Sequence, residues 1–174
     1  MKLKRYILVF SMVIIFGSGF AQKISKKTQR EKNRIEKINQ IDSLVNSKTF
    51  VFEATRAFPQ GWKSVDLTTN RNSVKFNPDK IECYMPFFGR AYSVDYGGDA
   101  GIKFEAKPQK YDIVKQKNGK GYEIDVSVSA ARDDYKLTFS VSPEGSATLT
   151  IISNQRSSIS YQGNISKLVD PIEK

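Results

Sequence analysis

Apolar side chains recur with two different periods along the chain, and the change of period divides the chain into two parts. In residues 28–47, Ile, Leu and Val recur at three- and four-residue steps among charged and amide side chains. That spacing predicts an amphipathic helix. From residue 49 onward the period is two, as in Phe50-Val51-Phe52-Glu53-Ala54. This alternation predicts strands with one apolar and one polar face.

Turn signals separate the alternating runs, and the loops between them are short. They are Pro59-Gln60-Gly61, Asn70 to Asn72, Asn77-Pro78-Asp79, Asn118-Gly119, Arg132-Asp133-Asp134, Pro143-Glu144-Gly145 and Asn154 to Arg156. Because short loops join antiparallel neighbours, we expect an antiparallel meander of about eight or more strands. The sequence therefore predicts an all-β, mainly antiparallel fold with one N-terminal α-helix.

A sheet with one apolar face has to hide that face from water. It does so by curling into a barrel or half-barrel, or by closing over the helix. We favour a curled meander sheet or half-barrel with the helix at its edge or mouth. The likeness to lipocalins is architectural only, because Gly61 and Trp62 are adjacent here and the lipocalin start motif separates them by one residue.

The beginning of the chain predicts export. A basic start, an apolar run over residues 7–16 and the small-x-small end Gly19-Phe20-Ala21 predict a cleaved signal peptide over residues 1–21. The apolar run is shorter than the roughly 20 residues that span a bilayer, so we expect no stable membrane insertion after cleavage. We expect a basic tether and amphipathic helix over residues 22–48, a single antiparallel β domain over residues 49–174, and a periplasmic or secreted location.

Charge and composition narrow the possible chemistry. The net charge is +10, but residues 22–48 hold eight Lys or Arg against three acids, and residues 49–174 hold 17 against 15. The basic charge belongs to the leading segment, so we expect no nucleic-acid partner. The chain has no histidine, which excludes Ser-His and Cys-His pairs and histidine metal sites. We expect no enzyme activity, no cofactor and no metal.

The single cysteine, Cys83, has no partner for an internal disulfide. Its neighbours Ile81, Glu82 and Tyr84 indicate a strand position. We expect a buried, unreactive thiol, since no histidine is available to activate it.

Residues 83–104 concentrate aromatic rings, glycines and one arginine. Pro86 cannot donate to a strand ladder and Gly89 is conformationally permissive, so this stretch should break or bulge a strand. We expect Phe87, Phe88 and Tyr92 to plug one end of the curled sheet.

The same stretch has a functional interpretation beside the structural one. The candidate ligand-binding residues are Arg90, Phe87, Phe88, Tyr92 and Tyr84. In this interpretation Arg90 receives a carboxylate or phosphate in an aromatic pocket. In the structural interpretation Arg90 stacks on a ring or pairs with Asp95 or Asp99.

The motif Y-M-P-F-F-G-R-A-Y at residues 84–92, followed by G-G-D-A-G-I-K-F at 97–104, resembles a family of exported bacterial proteins, the domain of unknown function numbered 4251. The opening strand at residues 50–54 with Pro59, and S-I-S-Y-Q-G-N-I at 158–165, resemble that family too. Met85 and Phe87 depart mildly from its leucine and tyrosine. The resemblance implies a Gram-negative envelope location and supplies no activity.

Two functions from different classes fit these observations. The first is a non-enzymatic periplasmic or envelope protein that binds a small apolar or amphipathic ligand in the curled sheet. The alternative is a structural or protein–protein interaction module of the envelope, in which the helix or a sheet edge contacts another envelope protein. The large inward residues, such as Leu137, Phe139 and Tyr161, favour a filled interior.

Overall fold

The computed structural model describes residues 26–92, 101–119, 121–131 and 133–168. Within these residues the chain forms one α-helix, ten β-strands and one short 3₁₀ turn. The helix is α1 (Lys26–Ser47), and the turn is Lys117–Gly119. The strands are β1 (Phe50–Pro59), β2 (Val65–Asp66), β3 (Ser73–Asn77), β4 (Lys80–Met85), β5 (Ile102–Ala106), β6 (Pro108–Lys115), β7 (Tyr122–Ala130), β8 (Asp133–Val141), β9 (Ser146–Ser153) and β10 (Ile159–Ser166).

The described strands belong to one antiparallel sheet. Its order is β5-β4-β3-β1-β10-β9-β8-β7-β6, and the short β2 pairs with β1 beside this path. The sheet consists of two runs of sequential hairpins. One run contains β1 and β3 to β5, and the other contains β6 to β10. The first and last strands join the two runs, because Pro59 pairs with Ile159 and Phe52 pairs with Ile165. The prediction of an all-β, mainly antiparallel curled sheet with one helix is confirmed.

The sheet curls until it is nearly closed. The Phe76 ring on β3 meets the Phe139 ring on β8 edge-on, with 5.2 Å between centroids, although three strands separate β3 from β8 in the sheet. The rings of Phe104 on β5 and Tyr135 on β8 stack at 4.5 Å. Such contacts across the apolar face require strong curvature, which the natural twist of antiparallel strands supplies.

The seam of the curled sheet lies at β5 and β6. These strands are consecutive and only Lys107 separates them, yet β5 bonds to β4 and β6 bonds to β7. The meander predicted from short loops is therefore interrupted at this point. One residue is too short to reverse the chain in a hairpin, so the polypeptide runs on from one edge of the sheet to the other.

The inward positions of the strands form one apolar core. Its fully buried large side chains are Tyr161, Phe50, Phe52, Phe76, Phe139, Leu67, Ile81, Met85, Ile102, Ile124, Leu137 and Leu149. The alternating residues predicted to face inward on β7, β8, β9 and β10 are all buried. The interior of the sheet is thus occupied by its own side chains, at the close packing usual for protein cores.

The chain forms two compact units, Met1–Asn33 and Arg34–Lys174. Of the first unit the structure describes residues 26–33, which are helical and exposed. Helix α1 begins earlier than the pattern predicted, because Lys, Arg, Gln and Glu favour helix even where no apolar stripe is present. The predicted signal peptide over residues 1–21 lies outside the described residues.

In the second unit the last turns of α1 pack against the sheet. Ile41 and Val45 are buried in the core. The ideal Cβ of an alanine at Gly145 would lie 2.6 Å from Ile41 Cδ1, so glycine permits this close approach. The carboxylate of Asp42 accepts hydrogen bonds from the Tyr122 hydroxyl and from Lys115 Nζ, the latter at 2.8 Å. This half of the helix therefore docks on its own domain.

Two predicted turns differ from the structure in detail. The hairpin at Asn118-Gly119 forms between β6 and β7, but Gly119 and Gly121 both take positive φ and the connection is longer than a two-residue turn. The turn predicted over residues 132–134 is shorter, because Asp133 already pairs with Ala130. Short polar runs indicate a turn, but cross-strand pairing decides its length.

Candidate functional site

The motif at residues 84–92 closes one end of the curled sheet. Strand β4 stops at Met85, and the chain then leaves the ladder at Pro86, as the missing donor of proline predicts. The Tyr161 hydroxyl donates a 2.7 Å hydrogen bond to the Pro86 carbonyl oxygen. Residues 86–92 are therefore fastened to the sheet from its buried side.

The second half of the motif is fastened to the loop between β9 and β10. The Ser157 amide donates to the Arg90 carbonyl at 2.9 Å, and the Arg90 amide donates to Ser157 Oγ at 3.2 Å. The Tyr92 amide donates to the Gln155 carbonyl at 2.8 Å. This backbone pairing fixes the course of the segment and leaves its outer side chains in solvent.

The aromatic rings of the motif divide between the core and the solvent. Phe87 and Phe88 are half-buried and pack against the core. Tyr92 is 71% exposed, unlike the expected plug, because its backbone bonds place it on the outer rim of the sheet. Among the described residues, the arginine that lies over a ring is Arg156, whose guanidinium carbon is 5.1 Å from the Phe87 centroid. Arg90 is exposed.

An open groove of about 500 Å³ lies beside the motif, where β4 ends. Its lining residues are Asn70, Arg71, Tyr84, Met85, Pro86, Phe87, Phe88, Gly101 and Lys103. Lys103 Nζ lies 4.3 Å from the centroid of the Tyr84 ring, because the two residues are directly opposite in the β4–β5 register. The groove joins aromatic walls to two cationic side chains.

The charge of this groove has one sign. Among its described lining residues, Arg71 and Lys103 carry positive charge and none carries a carboxylate. Along β3 to β5 a second depression of about 440 Å³ shares Tyr84 and Lys103 with the groove. It adds two glutamates, Glu82 and Glu105, and one lysine, Lys75. Among the described residues, the lining at the end of β4 is therefore positively charged, whereas the lining along β3 to β5 is mixed in charge.

Three of the five predicted site residues line the groove: Tyr84, Phe87 and Phe88. Arg90 and Tyr92 lie on the rim of the sheet, outside this lining. Asp95 and Asp99, the predicted acidic partners of Arg90, lie outside the described residues. The groove therefore has aromatic walls, and the positive charge in its lining comes from Arg71 and Lys103.

Sequence reasoning missed Asn70, Arg71 and Lys103. Asn70 and Arg71 reach the groove from the β2–β3 loop, and no local pattern shows which loop lies beside β4. Lys103 could have been assigned to the groove from the register of β4 and β5, which pairs it with Tyr84.

Cys83, next to Tyr84 on β4, is buried. Burial raises the pKa of its thiol, and its Sγ lies 3.8 Å from the Ile102 carbonyl oxygen. The predicted burial is confirmed. A thiol held neutral is a poor nucleophile.

Within the described residues no helix is both long and apolar enough to cross a membrane. In the same ranges no group of three or more His, Cys, Asp or Glu side chains is placed to hold a metal ion.

Comparisons with known proteins agree with this architecture. A family model described as "Domain of unknown function (DUF4251)" matches residues 32–165. The chain is similar in structure to a crystal structure of a DUF4251 family protein from Bacteroides eggerthii, with a TM-score of 0.61 and 16% sequence identity. That match covers 76% of this chain and 88% of the other. No curated protein matches the sequence significantly.

The fold defines an all-β protein with a nearly closed antiparallel sheet and a docked helix. Because the family model covers most of its length, the chain belongs to the DUF4251 family. The family assignment made from the motifs is thereby confirmed. The family description supplies no activity, so function has to be argued from the groove.

Proposed function

We propose that this protein is a non-enzymatic binding protein of the bacterial envelope, and that a small amphipathic molecule binds in the groove at the end of β4. The proposal rests on the lining of this groove. Three aromatic side chains, Tyr84, Phe87 and Phe88, form its walls. Two cationic side chains, Arg71 and Lys103, line the same open space. Binding sites for small molecules combine apolar walls with a few polar groups in this way.

The groove is a better location for the ligand than the interior of the sheet. The inward side chains, among them Phe139, Leu149 and Tyr161, are completely buried against one another. A ligand inside the sheet would have to displace them, at the cost of the close packing. The groove is already open, so a ligand enters it without unpacking the core.

The lining indicates the chemistry of the ligand. The exposed aromatic ring of Tyr84 and the edges of Phe87 and Phe88 offer apolar contact area. Arg71 suits a carboxylate or phosphate, because a guanidinium donates two parallel hydrogen bonds to either group. We therefore propose an apolar body with one anionic group.

The location is proposed on the sequence. The basic start, the apolar run and the small-x-small end of residues 1–21 support export through a signal peptide. In an envelope, molecules with an apolar body and an anionic group are abundant among lipids and their breakdown products. The absence of histidine supports a binding role over a catalytic one.

Titration with 8-anilino-1-naphthalenesulfonate, which has aromatic rings and one sulfonate, tests the groove. We expect the native chain to bind this probe and Arg71→Gln to weaken the binding about tenfold, the usual effect of losing a charge-assisted pair. The matched control is Arg56→Gln, which removes an equally exposed arginine outside the groove. Equal affinity of the two variants would rule out the groove as the binding site.

Native mass spectrometry of protein purified from its own envelope addresses the natural ligand. We expect an extra mass that is retained in the native chain and lost in Phe88→Ala. The control variant is Tyr92→Ala, which removes an exposed ring outside the groove. An apo species only, from gently extracted native protein, would contradict the proposal.

The alternative function, a protein–protein interaction module, has one observation in its favour. Ile35 belongs to the predicted apolar stripe of α1, yet it is 51% exposed, whereas Ile41 and Val45 are buried. A partner could cover Ile35 without displacing the docked half of the helix. A photo-crosslinker placed at Ile35 should then capture another envelope protein, whereas purely intramolecular links would exclude this surface.

A further inference from the structure

Three segments meet at the end of the sheet where β1 finishes and β10 begins. They are the tip between β1 and β2, residues 89–92, and the loop between β9 and β10. Pro59 at the end of β1 pairs with Ile159 at the start of β10. The same loop that leads into β10 pairs with Arg90 and Tyr92 through Ser157 and Gln155. This meeting point is called the aromatic rim below.

The aromatic rim exposes large aromatic side chains, which are unusual on a surface that contacts only water. Trp62 and Tyr92 are each 71% exposed, and Phe58 is 38% exposed. Trp62 follows a tight turn in which its amide donates to the Pro59 carbonyl at 3.3 Å. The indole therefore lies largely in solvent at the tip between β1 and β2.

Among the described residues, exposed basic side chains lie next to Trp62 and Tyr92. From Phe58 to Ser64 the chain contains no carboxylate and one lysine, Lys63, which is exposed. Arg90, next to Tyr92 on the neighbouring segment, is exposed as well. The acid nearest to Trp62 along the chain, Asp66, accepts hydrogen bonds from Thr68 and lies 4.0 Å from Arg56. Asp133, which reaches the β9–β10 loop from β8, accepts hydrogen bonds from Ser153 Oγ and from the Asn154 amide.

We propose that the aromatic rim is a peripheral membrane-binding site, which places Trp62 and Tyr92 in the headgroup region of a bilayer containing anionic phospholipid. Trp and Tyr are the side chains that favour this interfacial region. Lys63 and Arg90 supply attraction to lipid phosphates. This inference goes beyond the proposed function, because it concerns a different surface and does not depend on a ligand in the groove.

The shape of the rim favours a bilayer over a protein partner. A protein that received a protruding indole would need a matching pocket, whereas the soft headgroup region accepts a convex tip of any shape. The exposed basic side chains of the rim are opposite in charge to anionic lipid, and this complementarity favours binding to a bilayer surface.

Trp62 is the only tryptophan in the chain, so its fluorescence reports on the rim without a label. We expect vesicles of phosphatidylglycerol and phosphatidylethanolamine to shift the emission of the full chain to shorter wavelength. Lipids brominated near the headgroup should quench it, and vesicles of phosphatidylcholine alone should cause a much smaller shift. Added salt should weaken binding, because the attraction is partly electrostatic.

Two substitutions test the contribution of charge. Lys63→Gln should lower vesicle partitioning about fivefold, the usual value of one basic residue near an anionic surface. The matched control Lys117→Gln removes an exposed lysine at the opposite end of the sheet, near the docked half of α1, and should leave partitioning unchanged.

Three results would overturn the proposal. One is an unshifted Trp62 emission with every vesicle. Another is sedimentation with vesicles while the emission stays unshifted, which would assign binding to another part of the chain. The third is an equal loss of partitioning in Lys63→Gln and Lys117→Gln. If a crosslinker at Trp62 captures a protein and vesicles cause no response, the rim binds a protein partner and not lipid.

Discussion

The hydroxyl of Tyr161 donates a 2.7 Å hydrogen bond to the carbonyl oxygen of Pro86, and the Tyr161 side chain is completely buried. This bond joins the last strand of the sheet to the point where β4 ends. Two of the motifs that identify the family, at residues 84–92 and 158–165, are therefore in direct contact in the fold.

Replacing Tyr161 with phenylalanine should leave the Pro86 carbonyl without this donor. We expect Tyr161→Phe to lower the free energy of unfolding by about 2 kcal/mol, the usual effect of leaving a buried polar group unpaired. Urea denaturation measures it. The control Tyr84→Phe removes a hydroxyl from a half-exposed ring and should change stability by less than about 0.5 kcal/mol. Similar losses in both variants would contradict the assigned role.

Buried tyrosines should make the fold sensitive to alkali. Burial raises the pKa of Tyr161 and of Tyr111 above the ordinary value of 10.0. Above about pH 10 the unfolded chain loses these protons while the folded chain keeps them, so the unfolded state gains stability. We expect these two tyrosines to leave the free energy of unfolding unchanged below pH 9. Above pH 10 their ionisation in the unfolded chain should lower it steeply.

Tyr111 permits a sharper form of this test. Among the described residues its buried hydroxyl has no hydrogen-bond partner. Tyr111→Phe should therefore be neutral or slightly stabilising at pH 7, and it should move the midpoint of alkaline unfolding to higher pH. Circular dichroism during a pH titration measures this midpoint. An unchanged midpoint would show that Tyr111 ionises without unfolding the chain.

The amide of Asn72 completes the edge of β1. Asn72 Oδ1 accepts from the Ala54 amide at 2.7 Å, and Asn72 Nδ2 donates to the Ala54 carbonyl at 3.0 Å. The side chain thus replaces a missing strand partner beside the β1 bulge. We expect Asn72→Ala to cost about 3 kcal/mol in urea denaturation, since two backbone groups lose their partner. Asn70→Ala, in the same loop but exposed, should cost less than about 0.5 kcal/mol.

The docked half of α1 should contribute to stability, and the exposed half should not. Val45 is completely buried, so Val45→Ala should lower the free energy of unfolding by about 2 kcal/mol. Ile35→Ala should change it by less than about 0.5 kcal/mol, because Ile35 is half exposed. Comparable losses would show that α1 packs on the domain along its whole apolar stripe.

Local patterns predicted most of the strands and their buried faces. Alternation is a property of a few neighbouring residues, and Tyr135, Leu137 and Phe139 must share a face of any strand that contains them. The break after Met85 followed from proline for the same reason. The burial of Cys83 was predicted from its strand position.

The candidate site was predicted only in part. Tyr84, Phe87 and Phe88 are close in sequence, so they could be assigned to one place before the fold was known. Arg71 and Lys103 come from other segments, and the distance between segments depends on register and curvature. Tyr92 and Arg90 belong to the same motif, but backbone pairing with the β9–β10 loop turns them towards the rim.

The sequence by itself determined an antiparallel sheet, a helix before it, a filled apolar core and the family, because period and motif are local properties. Only the tertiary structure decided that β1 and β10 join the two runs of hairpins, that β5 and β6 separate at Lys107, and that the groove and the aromatic rim are different surfaces. These features depend on contacts between residues distant in sequence. Such contacts are selected by how well the whole core packs, so no short stretch of the chain encodes them.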